Sequence, residues 1–135
     1  MIKAIIFDLD GVLIESKDIH FHALNKALKK VNHIYEISYN EHLAKYDGMS
    51  TSTKLNKLNL EKKLPKNKNL LINKNKKKYT IEILSNLIQK DNEIIKIINY
   101  YRKNFKIAIA TNSIRSTLNI VLKNLKLENK FHYTI

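Results

Sequence analysis

Two short apolar runs constrain this chain most: Lys3 to Phe7 (KAIIF) and Lys106 to Ala110 (KIAIA). Both are rich in isoleucine and lack the polar alternation of a half-solvated strand, as expected of strands buried on both faces of a parallel sheet. Each stops abruptly at polar residues, the first at Asp8-Leu9-Asp10-Gly11 and the second at Thr111-Asn112-Ser113. A third run begins at Phe131 and continues to Ile135. Helical periodicity fills the sequence between them. Strands that alternate with helices demand a parallel α/β sheet with right-handed crossovers.

The helices are predicted from their apolar stripes and start signals. Ser16 is placed to cap a helix that buries Ile19, Ala23, Leu24, Ala27, Leu28 and Val31. Further helical stretches are expected over 38–45 and 51–60, broken at Gly48. Residues 61–78 hold the only proline, Pro65, and are dense in lysine and asparagine, so they read as a solvated loop or a frayed helix. Thr80 is expected to cap a helix with the face Ile83, Leu84, Leu87 and Ile88. Asp91 caps one that buries Ile94, Ile95, Ile98 and Tyr101. Ser113 caps the last, with Leu118, Val121, Leu122 and Leu125 inward. Residues 15–85 are too many for one crossover and read as an inserted helical domain. Residues 1–14 and 86–135 remain as the α/β core.

Composition excludes several function classes. There is no cysteine, hence no disulfide framework and no thiolate metal site. The N-terminal apolar run is too short for a signal peptide or a membrane span, so a cytoplasmic protein without a membrane partner is expected. The net charge of +13 raises the question of a nucleic-acid partner. Arginine occurs only at Arg102 and Arg115, however, and lysine, asparagine and isoleucine are abundant throughout. The charge reads as a coding bias toward A/T-rich codons, and no nucleic-acid partner is expected.

The chemistry sits at the strand ends, because open parallel sheets bind ligands beyond the carboxyl ends of their strands. Asp8 and Asp10, at i and i+2, present both carboxyl groups to one side. Such a pair needs a cation between its members or a proton on one of them. Mg²⁺ takes oxygen ligands of this kind and also screens an anionic substrate from an anionic nucleophile. Asp8 is then a nucleophile toward phosphorus, and Asp10 a general acid and base. Gly11 lets the backbone turn tightly. Thr111 supplies a hydroxyl, and Asn112 and Ser113 supply backbone N–H groups at a helix start. Taken alone, Asp-x-Asp is an ordinary strand end and Thr-Asn-Ser an ordinary cap. Their conjunction points to phosphoryl transfer.

FDLDGVL (Phe7 to Leu13) and IAIATNS (Ile107 to Ser113) resemble the first two motifs of the haloacid dehalogenase-like superfamily of phosphohydrolases. The helical insert resembles the cap of the subgroup that contains β-phosphoglucomutase and small-metabolite phosphatases. His20 and Ala23 fit its H-x-x-A pattern, and Gly48-Met49-Ser50 its cap substrate loop. The resemblance implies a Rossmann-like parallel sheet, here incomplete at three strands, with an inserted α-helical cap. It implies Asp8 as nucleophile and Mg²⁺ ligand, with Asp10 as acid/base that binds Mg²⁺ through its carbonyl. It places Gly11, Thr111 and Asn112 around the phosphoryl group, and His20 near a hinge. The implied substrate is a small phosphorylated metabolite.

Two departures from the family pattern qualify this. Related mutases carry an arginine in the cap loop where Thr51 stands, which favours a plain phosphatase over a sugar phosphomutase. The family's downstream lysine and acidic pair do not occur, since the chain ends in the third strand. A fragment truncated at its C-terminus is therefore expected, or a non-catalytic remnant. The first strand would then be an exposed apolar edge.

Overall fold

The computed structural model describes residues 2–135. It divides into two units, one of residues 2–17 and 81–135 and the other of residues 18–80.

The first unit is built on a three-stranded parallel sheet. β1 (Ala4–Phe7) pairs with β2 (Lys106–Ile109), and β2 with β3 (Tyr133–Thr134), in the order β1-β2-β3. The register sets Phe7 opposite Ile109. The ladder continues past the strands, with Ala110 N–H donating to the Phe7 carbonyl and Thr111 N–H to that of Ile135. Helices α5 (Asn92–Asn104) and α6 (Arg115–Asn124) flank β2 in sequence. Ile107, Ile109, Ile98, Leu118, Val121, Leu122, Leu125 and Leu127 are buried.

The predicted burial of β1 on both faces does not hold. Among the described residues β1 has a strand on one side only, and Ile6 is 66% exposed. Ala4 and Ile6, which share one face of the strand, are exposed, whereas Ile5 and Phe7 on the other face are partly covered. Asp91 caps α5 as expected, its carboxylate accepting from Glu93 N–H and Ile94 N–H. Of the predicted α5 face only Ile98 is fully buried, and Tyr101 is exposed.

The second unit is helical. α1 (Lys17–Lys29) follows buried Ser16 directly and inserts Phe21, Leu24, Ala27 and Leu28 into a core completed by Ile37, Tyr46, Leu55, Leu58, Leu64 and Ile72. α2 (Tyr39–Glu41), capped by Ser38, widens into one π-helical turn over His42–Tyr46. Asp47 N–H closes that turn onto the His42 carbonyl. Gly48, at φ +71°, breaks the chain where expected, and Ser50 caps α3 (Thr51–Glu61).

The segment 61–78, expected as loop or frayed helix, is mostly ordered helix. Pro65 precedes a short 3₁₀ turn at Lys66–Lys68, and α4 (Asn69–Leu87) follows without a break. Lysine is a good helix former, and no proline or glycine falls within α4. Ile72, Tyr79 and Ile83 mark one face, and two positions of that stripe are filled by Asn75 and Lys76. Tyr79 is covered by Lys26 Nζ, 4.5 Å from the ring centre. Thr80 is therefore not a cap: it lies inside α4 and donates its hydroxyl to the Lys76 carbonyl one turn back. Leu87, assigned to the buried face, is exposed at the end of α4.

Candidate functional site at the strand ends

The site grows from the point where β1 ends. Leu9 is completely buried, so its side chain anchors the segment in the core, and Asp8 and Asp10 flank it in the alternation of an extended chain. Asp8 is exposed, and its Oδ1 accepts the Leu9 N–H at 2.6 Å. The chain then folds back on itself. The Leu9 carbonyl accepts from both Leu13 N–H and Ile14 N–H, and Gly11 N–H donates to the Ile14 carbonyl at 2.7 Å. This turn holds Gly11 at φ +80°. A Cβ there would meet no atom within 4 Å, so glycine is required by backbone conformation and not by space.

The second strand end is tied to the first by a side chain. Ser113 donates its hydroxyl to Asp10 Oδ2 at 2.8 Å, across 103 residues of sequence. Ser113 N–H in turn donates to Thr111 Oγ1 at 3.0 Å, which bends Thr111-Asn112-Ser113 into a hydroxyl-closed turn. Asp8, Asp10, Thr111 and Asn112 thus share one end of the sheet. Asp8 and Asn112 are exposed there, and Asp10 and Thr111 half-buried.

The structure corrects the expected role of Ser113. The N-cap of α6 is Ile114, without a side-chain cap, and the helix begins only at Arg115. The Ser113 N–H is committed to Thr111, so it is not an open donor at a helix start. A serine just ahead of a helix reads locally as a cap. Its true partner is an aspartate far away in the chain, and only a hydroxyl facing the DxD turn across paired strands would signal that.

The remaining predicted site residues belong to the helical unit. His20 Nδ1 lies 3.3 Å from Lys76 Nζ, an arrangement in which the lysine donates to the ring. Gly48 N–H donates to Asp47 Oδ1, and Met49 N–H to the Tyr46 carbonyl, so Gly48, Met49 and Ser50 form the short connection into α3. His42, which sequence spacing does not mark, is the buried histidine of this unit. Its ring packs 5.0 Å from that of Phe21, and its Nε2 lies 3.9 Å from Asp47 Oδ1.

The described residues contain no group of three or more His, Cys, Asp or Glu side chains able to hold a metal ion. The strand-end pair still suits a hard cation in kind. Asp8 and Asp10 offer oxygen donors alone, with no soft ligand nearby, and a small divalent ion keeps several waters of its own. Among the described residues, no helix is long and apolar enough to cross a membrane.

Comparison with known proteins places this geometry. No curated protein matches the chain. Among solved structures, CbbY from Rhodobacter sphaeroides, as a variant in complex with xylulose 1,5-bisphosphate, superposes with a TM-score of 0.80 at 17% identity. That match covers 99% of this chain and 63% of the other. β-Phosphoglucomutase from Clostridium difficile matches at 26% identity with a TM-score of 0.69, covering 99% of this chain and 61% of that one. YfnB from Bacillus subtilis, a putative haloacid dehalogenase-type hydrolase with magnesium bound, matches at 16% identity and a TM-score of 0.64, over 98% and 64% of the two chains. The chain therefore spans less than two thirds of the length of each. The model for haloacid dehalogenase-like hydrolases matches residues 5–135, and the chain belongs to that family.

Proposed function

We propose that the strand-end residues belong to a Mg²⁺-dependent phosphomonoester hydrolase that works through an aspartyl-phosphate on a small phosphorylated metabolite. The observation that carries this reading is the Ser113–Asp10 hydrogen bond, which fixes the two motif-bearing strand ends together and leaves Asp8 exposed beside them. On this reading the helical unit is the cap, and the enzyme is cytoplasmic.

In the proposed cycle an Asp8 carboxylate oxygen attacks phosphorus, and the bond from phosphorus to the ester oxygen breaks. Asp10, protonated at the start, gives its proton to the leaving alkoxide. Water then attacks the phosphoryl group on Asp8 while Asp10 takes back a proton. Inorganic phosphate leaves, and Asp8 is regenerated. Thr111 and Asn112 orient the phosphoryl oxygens, and Gly11 lets the backbone approach them. The Asp8 carboxylate and the Asp10 carbonyl would hold Mg²⁺, which when bound neutralises charge between nucleophile and phosphoryl group. The magnesium bound by YfnB and the bisphosphate ligand of CbbY support the chemistry by analogy.

The test is turnover of p-nitrophenyl phosphate by the full-length enzyme that carries these residues, with and without Mg²⁺. Turnover should need the metal and vanish in Asp8→Asn, and wild-type rates in that variant would reject Asp8 as nucleophile. The likeness to β-phosphoglucomutase at 26% identity favours a second reading, a sugar phosphomutase. Dependence of turnover on a bisphosphate primer would select it.

A further inference from the structure

The end of the helical unit where α3 gives way to α4 is tied down from within and apolar on the outside. Asn59 and Asn69 exchange side-chain hydrogen bonds of 3.0 and 2.9 Å, and Asn59 also donates to the carbonyl of buried Leu64 at 2.8 Å. These bonds hold the last turn of α3 against the first turn of α4. Yet Leu70 is 85% exposed, Leu60 is 72% exposed, and Leu71 is exposed beside them. The buried core of this unit uses none of the three. Leucines fixed together and turned to water mark a surface that something else covers.

Charge narrows what that is. Residues 62–81 hold eight lysines and no aspartate or glutamate. Lys62 is engaged by Glu41 and by the Glu36 carbonyl. Lys63, Lys66 and Lys68 in the connection, and Lys74, Lys77 and Lys78 on α4, are exposed and make no ion pair among the described residues. Leu70, Lys74, Lys77 and Lys78 follow the i, i+4, i+7, i+8 spacing of one helix face, opposite buried Ile72. That face is apolar in the first turn of α4 and cationic over the next two. A coding bias accounts for lysine in general, but not for a run without acids beside exposed leucines. A nucleic acid would satisfy the charge alone. The run holds no arginine, however, and its one aromatic ring, Tyr79, is covered by Lys26, so bases would find nothing to stack on. Leucines that enter an acyl boundary while lysines reach the headgroups suit a bilayer surface of negative charge.

We infer that this end of the helical unit docks on an anionic lipid surface, with Leu60, Leu70 and Leu71 at the acyl boundary and the lysines against headgroup phosphates. The short N-terminal apolar run speaks only against a membrane span, and surface docking needs none. No strand-end residue takes part, so the inference stands apart from the hydrolase reading.

The experiment is vesicle co-sedimentation of the full-length protein that carries these residues. It compares phosphatidylcholine vesicles with vesicles that contain about one third phosphatidylserine. Binding to the phosphatidylserine vesicles alone is expected, and it should weaken as salt rises. Lys66→Gln/Lys68→Gln/Lys74→Gln should weaken it by about a hundredfold. Removing three exposed lysines of the other unit, in Lys96→Gln/Lys103→Gln/Lys123→Gln, should change it by less than about threefold. Leu70→Ser/Leu71→Ser keeps every charge and should weaken it by about tenfold. Both leucines are exposed, so that variant should keep the far-UV circular dichroism spectrum of the folded protein. No binding to either vesicle would overturn the inference. Equal losses from the two lysine triples would overturn it too, because they would mark net charge alone. So would full binding in Leu70→Ser/Leu71→Ser, the result expected of a surface for a nucleic acid or an acidic protein.

Discussion

Replacing Tyr46 by phenylalanine isolates the polar contribution to the core of the helical unit. The ring is completely buried, its hydroxyl donates to Glu61 Oε2 at 2.9 Å, and Lys57 Nζ lies 5.3 Å from its centre. Phenylalanine keeps the ring and loses the hydrogen bond to a carboxylate. Such bonds contribute about 1.5–3 kcal/mol, and the lower end applies because Glu61 is exposed and regains water when released. Tyr46→Phe should therefore cost about 1–2 kcal/mol, against roughly 3–5 kcal/mol for Tyr46→Ala, which also leaves a cavity. Urea unfolding followed by far-UV circular dichroism measures both, with a lowered midpoint and an unchanged slope. The phenol also makes a pH prediction. Desolvation raises its pKa above the ordinary 10.0, and the Glu61 hydrogen bond and the charges of Glu61 and Glu41 raise it further. Above pH 10 the unfolded chain releases this proton and the folded chain keeps it, so stability falls by up to about 1.4 kcal/mol per pH unit. Below pH 10 the contribution is fully present. Tyr46→Phe should lose this alkaline slope. Equal stability of Tyr46→Phe and wild type, or an unchanged alkaline slope in the variant, would refute the reasoning.

Other substitutions test other parts of the account. Gly11→Ala must hold a Cβ at φ +80° and should lose roughly 1–2 kcal/mol by backbone strain alone, measured by thermal or urea unfolding. Asp91→Ala removes the cap of α5, which offers two amide hydrogen bonds, and should cost about 1 kcal/mol in the same assay. Ile6→Lys charges the open edge of β1 and should reduce concentration-dependent self-association in sedimentation velocity, with little change in stability.

The sequence shows the type of each element more clearly than its surroundings. KAIIF and KIAIA are visible as strands because unbroken β-branched runs suit little else. Nothing in KAIIF tells what covers each face of the strand, which is why the expected double burial fails at Ile6. α1 and α6 are legible because their apolar stripes are nearly complete. α4 is obscured because Asn75 and Lys76 occupy stripe positions, and its helical character comes from lysine propensity and the absence of breakers. At the site, DxDG and TNS are readable as motifs at matching strand ends. The Ser113–Asp10 bond that joins them is a tertiary contact over 103 residues, and no local pattern encodes it.

The central claim, Asp8 as the nucleophile at the end of β1, is tested most directly by trapping. The full-length enzyme that carries these residues would be mixed with p-nitrophenyl phosphate and Mg²⁺, quenched in acid and mapped by peptide mass spectrometry. The account predicts one phosphoryl group on the peptide that carries Asp8, and none in Asp8→Asn. A phosphoryl group on another residue, or an adduct that persists in Asp8→Asn, would contradict it.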